Sequence, residues 1–187
     1  MKKLVIFASG TGSNAEKIMA RFKGSDTAIV SAVFCNNPNA GVIEKARNNG
    51  ISVCVFSRAD FTGGSVLSSL RKINPDLIIL AGFLWMVPAE IVAAFHRKII
   101  NIHPALLPKF GGKGMFGMNV HRAVAENSES ETGITIHYID ERYDEGDIIF
   151  QAKVGIDPDE SCESISGKVH DLELTHFPNV IESLLSE

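Results

Sequence analysis

The chain has 187 residues, 45% of them apolar and 21% charged, with a formal charge of −4 and no polar low-complexity tract. That composition excludes a disordered or fibrous polymer, and Lys and Arg scattered without a basic run lack the footprint of a nucleic-acid binder. The length suits one domain, 1–187, around a single core.

After Met1-Lys2-Lys3 the apolar stretch LVIFA is only five residues long before SGTGSN, too short for a secretory segment or a membrane span, so a cytoplasmic location is the expectation. Through the first hundred residues one pattern recurs: a short apolar run rich in Val and Ile, a turn with Gly, Asn or Pro, then a stretch of helical spacing. Strands are predicted at 4–9, 28–35, 51–56, 76–82 and 98–103, with helices near 13–23, 39–49, 63–73 and 88–96. Continuous apolar runs imply strands covered on both faces. Their alternation with helices gives right-handed βαβ crossovers and a doubly wound, mainly parallel α/β sheet. After residue 103 come a glycine-rich loop, a helix near 119–127, and strands at 133–140 and 147–156 joined as a hairpin by ERYDEG. The last segment reads as a terminal helix kinked or broken at Pro178.

Ligands of open parallel sheets bind beyond the carboxyl ends of the strands, and three of those ends carry unusual residues. The first is SGTGSN, 9–14, where glycines let the backbone approach a ligand while Ser13, Asn14 and a helix N-terminus offer donors to a phosphate. Gly10, Gly12 and Ala15 satisfy G-x-G-x-x-A, but the second strand ends in Cys35-Asn36-Asn37-Pro38 without the acid that a dinucleotide site wants, and no Walker A loop is present. The second end, LAGFLWMVP at 80–88, is too apolar for an uncovered surface loop; either an aromatic ligand covers Phe83 to Val87 or they pack under the following helix. The third is NIHP, 101–104, where Asn101 and His103 share a face by strand alternation. An amide donor and an imidazole aimed together suit a reaction that builds charge on a carbonyl oxygen and moves a proton. A carboxylate to orient the histidine is available from Asp144, Glu145 or Asp147, among which spacing does not choose. Cys35, Cys54 and Cys162 are odd in number and lack metal-ligand spacing, so they read as reduced, buried thiols, with no metal expected.

Taken together, SGTGSN, LAGF, NIHPALLP and HYIDERYDEGDII resemble the folate-dependent formyltransferases that act on glycinamide ribonucleotide in purine synthesis, over nearly the whole chain. The resemblance implies a Rossmann-like formyltransferase fold with 10-formyltetrahydrofolate as cosubstrate. By position it makes Asn101, His103 and Asp144 the catalytic trio, and so selects among the carboxylates. Thr11, Gly12, Ser13 and Asn14 match the phosphate turn, and His170 with Glu173 the ribonucleotide contacts of the terminal helix. Leu84, Trp85, Met86 and Val87 match one wall of the folate pocket, and Asp140, Glu141, Arg142, Tyr143 and Asp144 another, with Asn101 between them. Arg58 matches an arginine that meets the folate's glutamate tail. On this reading 1–100 is a phosphate-binding half and 101–187 a catalytic and folate-binding half, and the enzyme works as a monomer or weak homodimer on small molecules, with no nucleic acid or membrane partner. The chain departs from the family pattern in a longer 110–118 loop, FGGKGMFGM, and in Trp85, where other members carry a basic residue. Gly111, Gly112, Gly114 and Gly117 read as a mobile surface loop in preference to a lid.

Three other readings compete. A sibling transferase for initiator methionyl-tRNA shares NIHP and the loop Asp, but it carries a further C-terminal domain for which an acidic chain of 187 residues is not expected to have room. A formyltetrahydrofolate hydrolase would have no use for SGTGSN or Glu173, and a non-catalytic mononucleotide-binding module would have no use for the trio.

Overall fold

The computed structural model describes residues 1–186. Strand β1 (Lys2–Ala8) alternates its side chains between two cores: Leu4, Ile6 and Ala8 enter one, Val5 and Phe7 the other, all at most 2% exposed. Helix α1 (Ser13–Phe22) covers the first face with Ile18 and Phe22 and returns the chain to β2 (Ala28–Cys35), which pairs parallel to β1. Helix α2 (Gly41–Asn48) leads to β3 (Ser52–Val55) at the sheet edge. Being an edge strand, β3 is half-exposed rather than covered on both faces as the apolar run ISVCVF suggested.

The helix predicted near 63–73 is α4 (Ser65–Ile73), and a further short helix that the sequence reading did not include precedes it. This helix, α3 (Arg58–Thr62), is opened by a capping box between Ser57 and Asp60, and Gly63-Gly64 separate it from α4. The Ser57-x-x-Asp60 spacing is the local signal for this helix start.

Strand β4 (Leu77–Leu80) then pairs with β1 on its free side, and α5 (Ala89–Ala94) carries the chain to β5 (Ile99–His103), again parallel. Helix α6 (Met118–Glu126) is followed by β6 (Glu131–Tyr138) and β7 (Ile148–Gly155), both antiparallel to their neighbours. The sheet order is β3-β2-β1-β4-β5-β6-β7, one sheet spanning both halves of the sequence. Successive crossovers leave β1 in opposite directions, so a crevice opens between β1 and β4 at their carboxyl ends.

The second face is aromatic. Phe7 stacks on Phe34 at 5.0 Å and meets the edge of Phe83 at 5.3 Å, with Phe56 and Phe61 closing the cluster. A fully buried Phe contributes roughly 1.5–3 kcal/mol by area, so this cluster anchors the β4 end that faces the crevice.

Helix α7 (Cys162–Leu185) is continuous across Pro178, so of the kinked or broken helix expected there the break does not occur. Pro178 is buried beside Phe177 and Ile181, so packing against α1, α6, β6 and β7 holds the helix where local propensity would end it. That course carries His170 and Glu173 back to the start of α1.

Candidate functional site

A cavity of about 640 Å³ lies over the carboxyl ends of β1, β4 and β5. Three groups of residues meet in it.

The β1–α1 turn forms one end. Gly12 sits in the left-handed region at φ 77°, and a Cβ there would lie 2.6 Å from Val42 Cβ, so only glycine fits. No side chain caps α1, which leaves its first N–H groups, at Ser13 and Asn14, open to an anion. Asn14 is 8% exposed, and its Nδ2 donates to Glu173 Oε2 at 2.8 Å, while its Oδ1 is buried without a partner among the described residues. His170 Nδ1 lies 3.2 Å from the same Glu173 oxygen, and that hydrogen bond pushes the His170 pKa up. Residues 159 positions apart thus form one polar wall with Thr11 and Gly12.

The β4 end forms an apolar shelf. Leu84 and Met86 are exposed on it, while Trp85 is half-buried against Phe56, Phe61 and Phe83. Trp85 packs into the aromatic core and also lines the cavity. Leu84 N–H donates to Ser9 Oγ at 3.0 Å, tying the shelf to the β1 end. Arg58 does not line the cavity; its guanidinium stacks over Trp85 at 4.8 Å and is exposed at the shelf's outer side.

The β5 end supplies polar groups. Asn101 and His103 face the cavity together, and the β6–β7 link brings Asp144 against them: its Oδ2 is 3.7 Å from His103 Nδ1. Asp144 itself adopts φ 55°, a turn conformation that Asp tolerates. Asp140, Arg142 and Tyr143 line the cavity beside it, and Glu141 does not. His103 is 3% exposed, and its Nε2 donates to the Phe110 carbonyl at 2.8 Å. A carbonyl can only accept, so Nε2 carries a hydrogen and Nδ1 is the nitrogen left facing the carboxylate. Gly112 N–H donates to Asp144 Oδ2 at 2.9 Å. The glycine-rich loop is therefore a cavity wall that holds two of the trio, not a free surface loop: Gly112, Gly114 and Gly117 line the cavity, and a Cβ on Gly111 would meet Leu107 Cδ2 at 2.6 Å and Asp144 Cβ at 3.3 Å.

Two buried histidines escaped selection from the sequence. His137, 1% exposed, is the antiparallel register partner of Asn101, with Nε2 3.2 Å from Asn101 Nδ2; burial pushes its pKa down. The signal was a histidine in the otherwise apolar run GITIHY, but its partner is fixed only by pairing. His121 on α6, 4% exposed, lines the cavity near Glu173 and His103, and burial lowers its pKa too. Among the described residues no group of three or more His, Cys, Asp or Glu could hold a metal ion, and no helix is long and apolar enough to cross a membrane. Cys35 is buried, whereas Cys54 and Cys162 are only half-buried; burial raises the thiol pKa of Cys35 and Cys54, which disfavours the reactive thiolate.

Residues 2–181 match the family model described as formyl transferase. The chain belongs to the formyl transferase family. A phosphoribosylglycinamide formyltransferase of Bacillus subtilis is 37% identical, over 99% of this chain and 95% of its own. A chloroplastic phosphoribosylglycinamide formyltransferase of Vigna unguiculata is 41% identical over 100% of this chain and 62% of its own, so the chain spans less than two thirds of that relative's length. The crystal structure of glycinamide ribonucleotide transformylase 1 from Geobacillus kaustophilus superposes with a TM-score of 0.90 at 36% identity, over 99% of each chain. The formyl transferase fold is thus a doubly wound sheet extended by an antiparallel pair.

Proposed function

We propose that this chain transfers the formyl group of 10-formyltetrahydrofolate to the amine of glycinamide ribonucleotide in purine synthesis. The observation that carries the reading is the meeting, in one cavity, of an anion-binding turn, an apolar shelf, and the set Asn101, His103 and Asp144 between them. The names of the relatives support it as well.

The ribonucleotide phosphate lies on the N–H groups of Gly12, Ser13 and Asn14 beside Thr11, and Glu173 with His170 accepts and donates to the ribose. The pteridine and benzoate rings lie between the shelf, Leu84 to Val87, and the loop from Asp140 to Asp144. Arg58, held over Trp85, meets the glutamate carboxylates at the outer end, and Glu141, which stands outside the wall, contributes through the loop's shape.

The folate supplies the formyl group and the substrate amine accepts it. Asn101 Nδ2 donates to the formyl oxygen as that oxygen gains negative charge; deleting one such donor costs roughly a hundredfold to a thousandfold. His103, whose Nε2–H is committed to Phe110, works through Nδ1: protonated there, it adds positive charge near the oxygen and faces Asp144. The 3.7 Å between Nδ1 and Oδ2 is too long for a direct hydrogen bond and suits a relay that takes the proton from the attacking amine and delivers it to the departing folate nitrogen. The acidic balance of −4 favours small molecules over nucleic acid as substrates. We further propose a cytoplasmic location and a monomer or weak homodimer as the working form.

The test is a spectroscopic formyl-transfer assay with glycinamide ribonucleotide and a 10-formyl folate. The wild type transfers, and His103→Ala and Asp144→Asn lose about a hundredfold or more in kcat. Full activity in both variants, or formate release that needs no ribonucleotide, overturns the proposal.

A further inference from the structure

Asn101 can serve as a donor only if its carboxamide presents nitrogen, and His137 decides which way that carboxamide faces. The two are register partners across β5 and β6, with Asn101 Nδ2 and His137 Nε2 3.2 Å apart. The other ring nitrogen, Nδ1, lies 2.9 Å from the Tyr138 carbonyl oxygen. Because that oxygen only accepts, Nδ1 carries the hydrogen. Burial keeps the ring neutral, so Nε2 is a bare acceptor. A bare Nε2 takes a hydrogen from the amide NH₂ and repels the amide Oδ1, which fixes the orientation of the group. The NH₂ has a second hydrogen, and Asn101 lines the cavity, so that hydrogen is the one offered to a ligand.

We infer that His137 is a positioning residue for formyl transfer: it locks the Asn101 carboxamide so that an N–H, and not the carbonyl oxygen, faces the oxygen that gains charge. The inference rests on the formyl-transfer reading above. The groups that face His137 are Asp144, with Oδ1 3.7 Å from Nε2, Asp140 of the same loop, and His103 on β5; β7 opposes it with the apolar Ile148. Were the ring to gain a proton, Nε2 would become a donor, turn to Asp144 or to the amide oxygen, and release the lock. Loss of kcat on the acid side therefore includes this ring.

Three variants separate its two bonds. His137→Phe keeps the volume and loses both; His137→Asn keeps an N–H for the Tyr138 carbonyl only; His137→Gln keeps an acceptor near the Nε2 position for Asn101 only. Because misplacement of a reacting group by about 1 Å costs up to about a hundredfold, kcat falls about tenfold to a hundredfold in the Phe and Asn variants. KM for both substrates changes by less than about threefold, and the Gln variant recovers most of kcat and lacks this ring's share of the acid limb. In an Asn101→Ala background His137→Phe has less than about a twofold further effect, since a residue that acts through Asn101 has nothing left to act on. Full kcat in His137→Phe, a loss confined to KM, or the same factor with and without Asn101 overturns the inference. Absence of transfer by the wild type overturns the functional reading and this one with it; additive losses in an active wild type overturn this one alone.

Discussion

Replacing Asn14 by Asp tests the polar wall at the α1 end without any ligand. Asn14 Nδ2 is 2.8 Å from Glu173 Oε2, Asn14 is 8% exposed, and the Glu173 side chain is 14% exposed. The substitution turns a donor into a second carboxylate and places two negative charges roughly 4 Å apart, where they repel by about 4 kcal/mol at an effective dielectric of about 20. The pair escapes by keeping one proton. Holding a proton on a carboxyl of ordinary pKa at pH about 7.5 also costs about 4 kcal/mol, at about 1.4 kcal/mol per pH unit. With solvent reaching the pair from the cavity, the expected loss of folding stability in Asn14→Asp is about 2–3 kcal/mol at pH about 7.5. The folded variant binds a proton that the unfolded chain does not, so its deficit relative to wild type grows as pH rises and shrinks to about 1 kcal/mol at pH about 5. Urea denaturation of both proteins at the two pH values measures this, and adding Glu173→Gln to the variant restores most of the loss at pH about 7.5. A deficit that is equal at both pH values, or larger at the lower one, refutes the charge argument. The same variant weakens ribonucleotide binding, seen as a KM raised more than about tenfold, because the new charge faces the phosphate.

Two further outcomes concern the fold. His121 and His137 are buried neutral, with pKa values pushed below the usual 6.5, so below that pH the unfolded chain takes up protons that the fold refuses. Stability therefore falls with acid at a slope approaching about two protons; His170, raised by Glu173, acts oppositely and only above its ordinary value. Unfolding free energies that stay flat from pH about 7 to about 5.5 would contradict this. At the base of the β6–β7 hairpin a Cβ on Gly146 would lie 1.9 Å from the Tyr138 carbonyl oxygen, whereas one on Gly155 meets nothing within 4 Å. Gly146→Ala is expected to cost about 1–3 kcal/mol and to shift the loop that carries Asp144, with Gly155→Ala near neutral, as read by thermal melts.

Sequence by itself determined the alternation of strands and helices, because continuous apolar runs bounded by Gly, Asn and Pro report burial on both faces of a parallel sheet. It also marked the three strand ends, since residues with open N–H groups, an apolar stretch after a turn, and an amide two places from an imidazole are unusual there. What it could not determine was anything that depends on distance across the fold. Local propensity ends a helix at Pro178, but packing of Phe177 and Ile181 carries α7 through it. Glycine content alone made the 110–117 segment look free, while the Phe110 carbonyl and Gly112 N–H bind it to His103 and Asp144. The partner of Asn101 is 36 residues away and fixed only by the register of two antiparallel strands. The contact between Asn14 and Glu173, residues 159 apart, exists only because α7 crosses back over the sheet. Composition and periodicity report how each residue meets solvent. Tertiary structure alone decides which polar groups meet each other, because hydrogen bonds at about 3 Å depend on register and crossing geometry that no local pattern encodes.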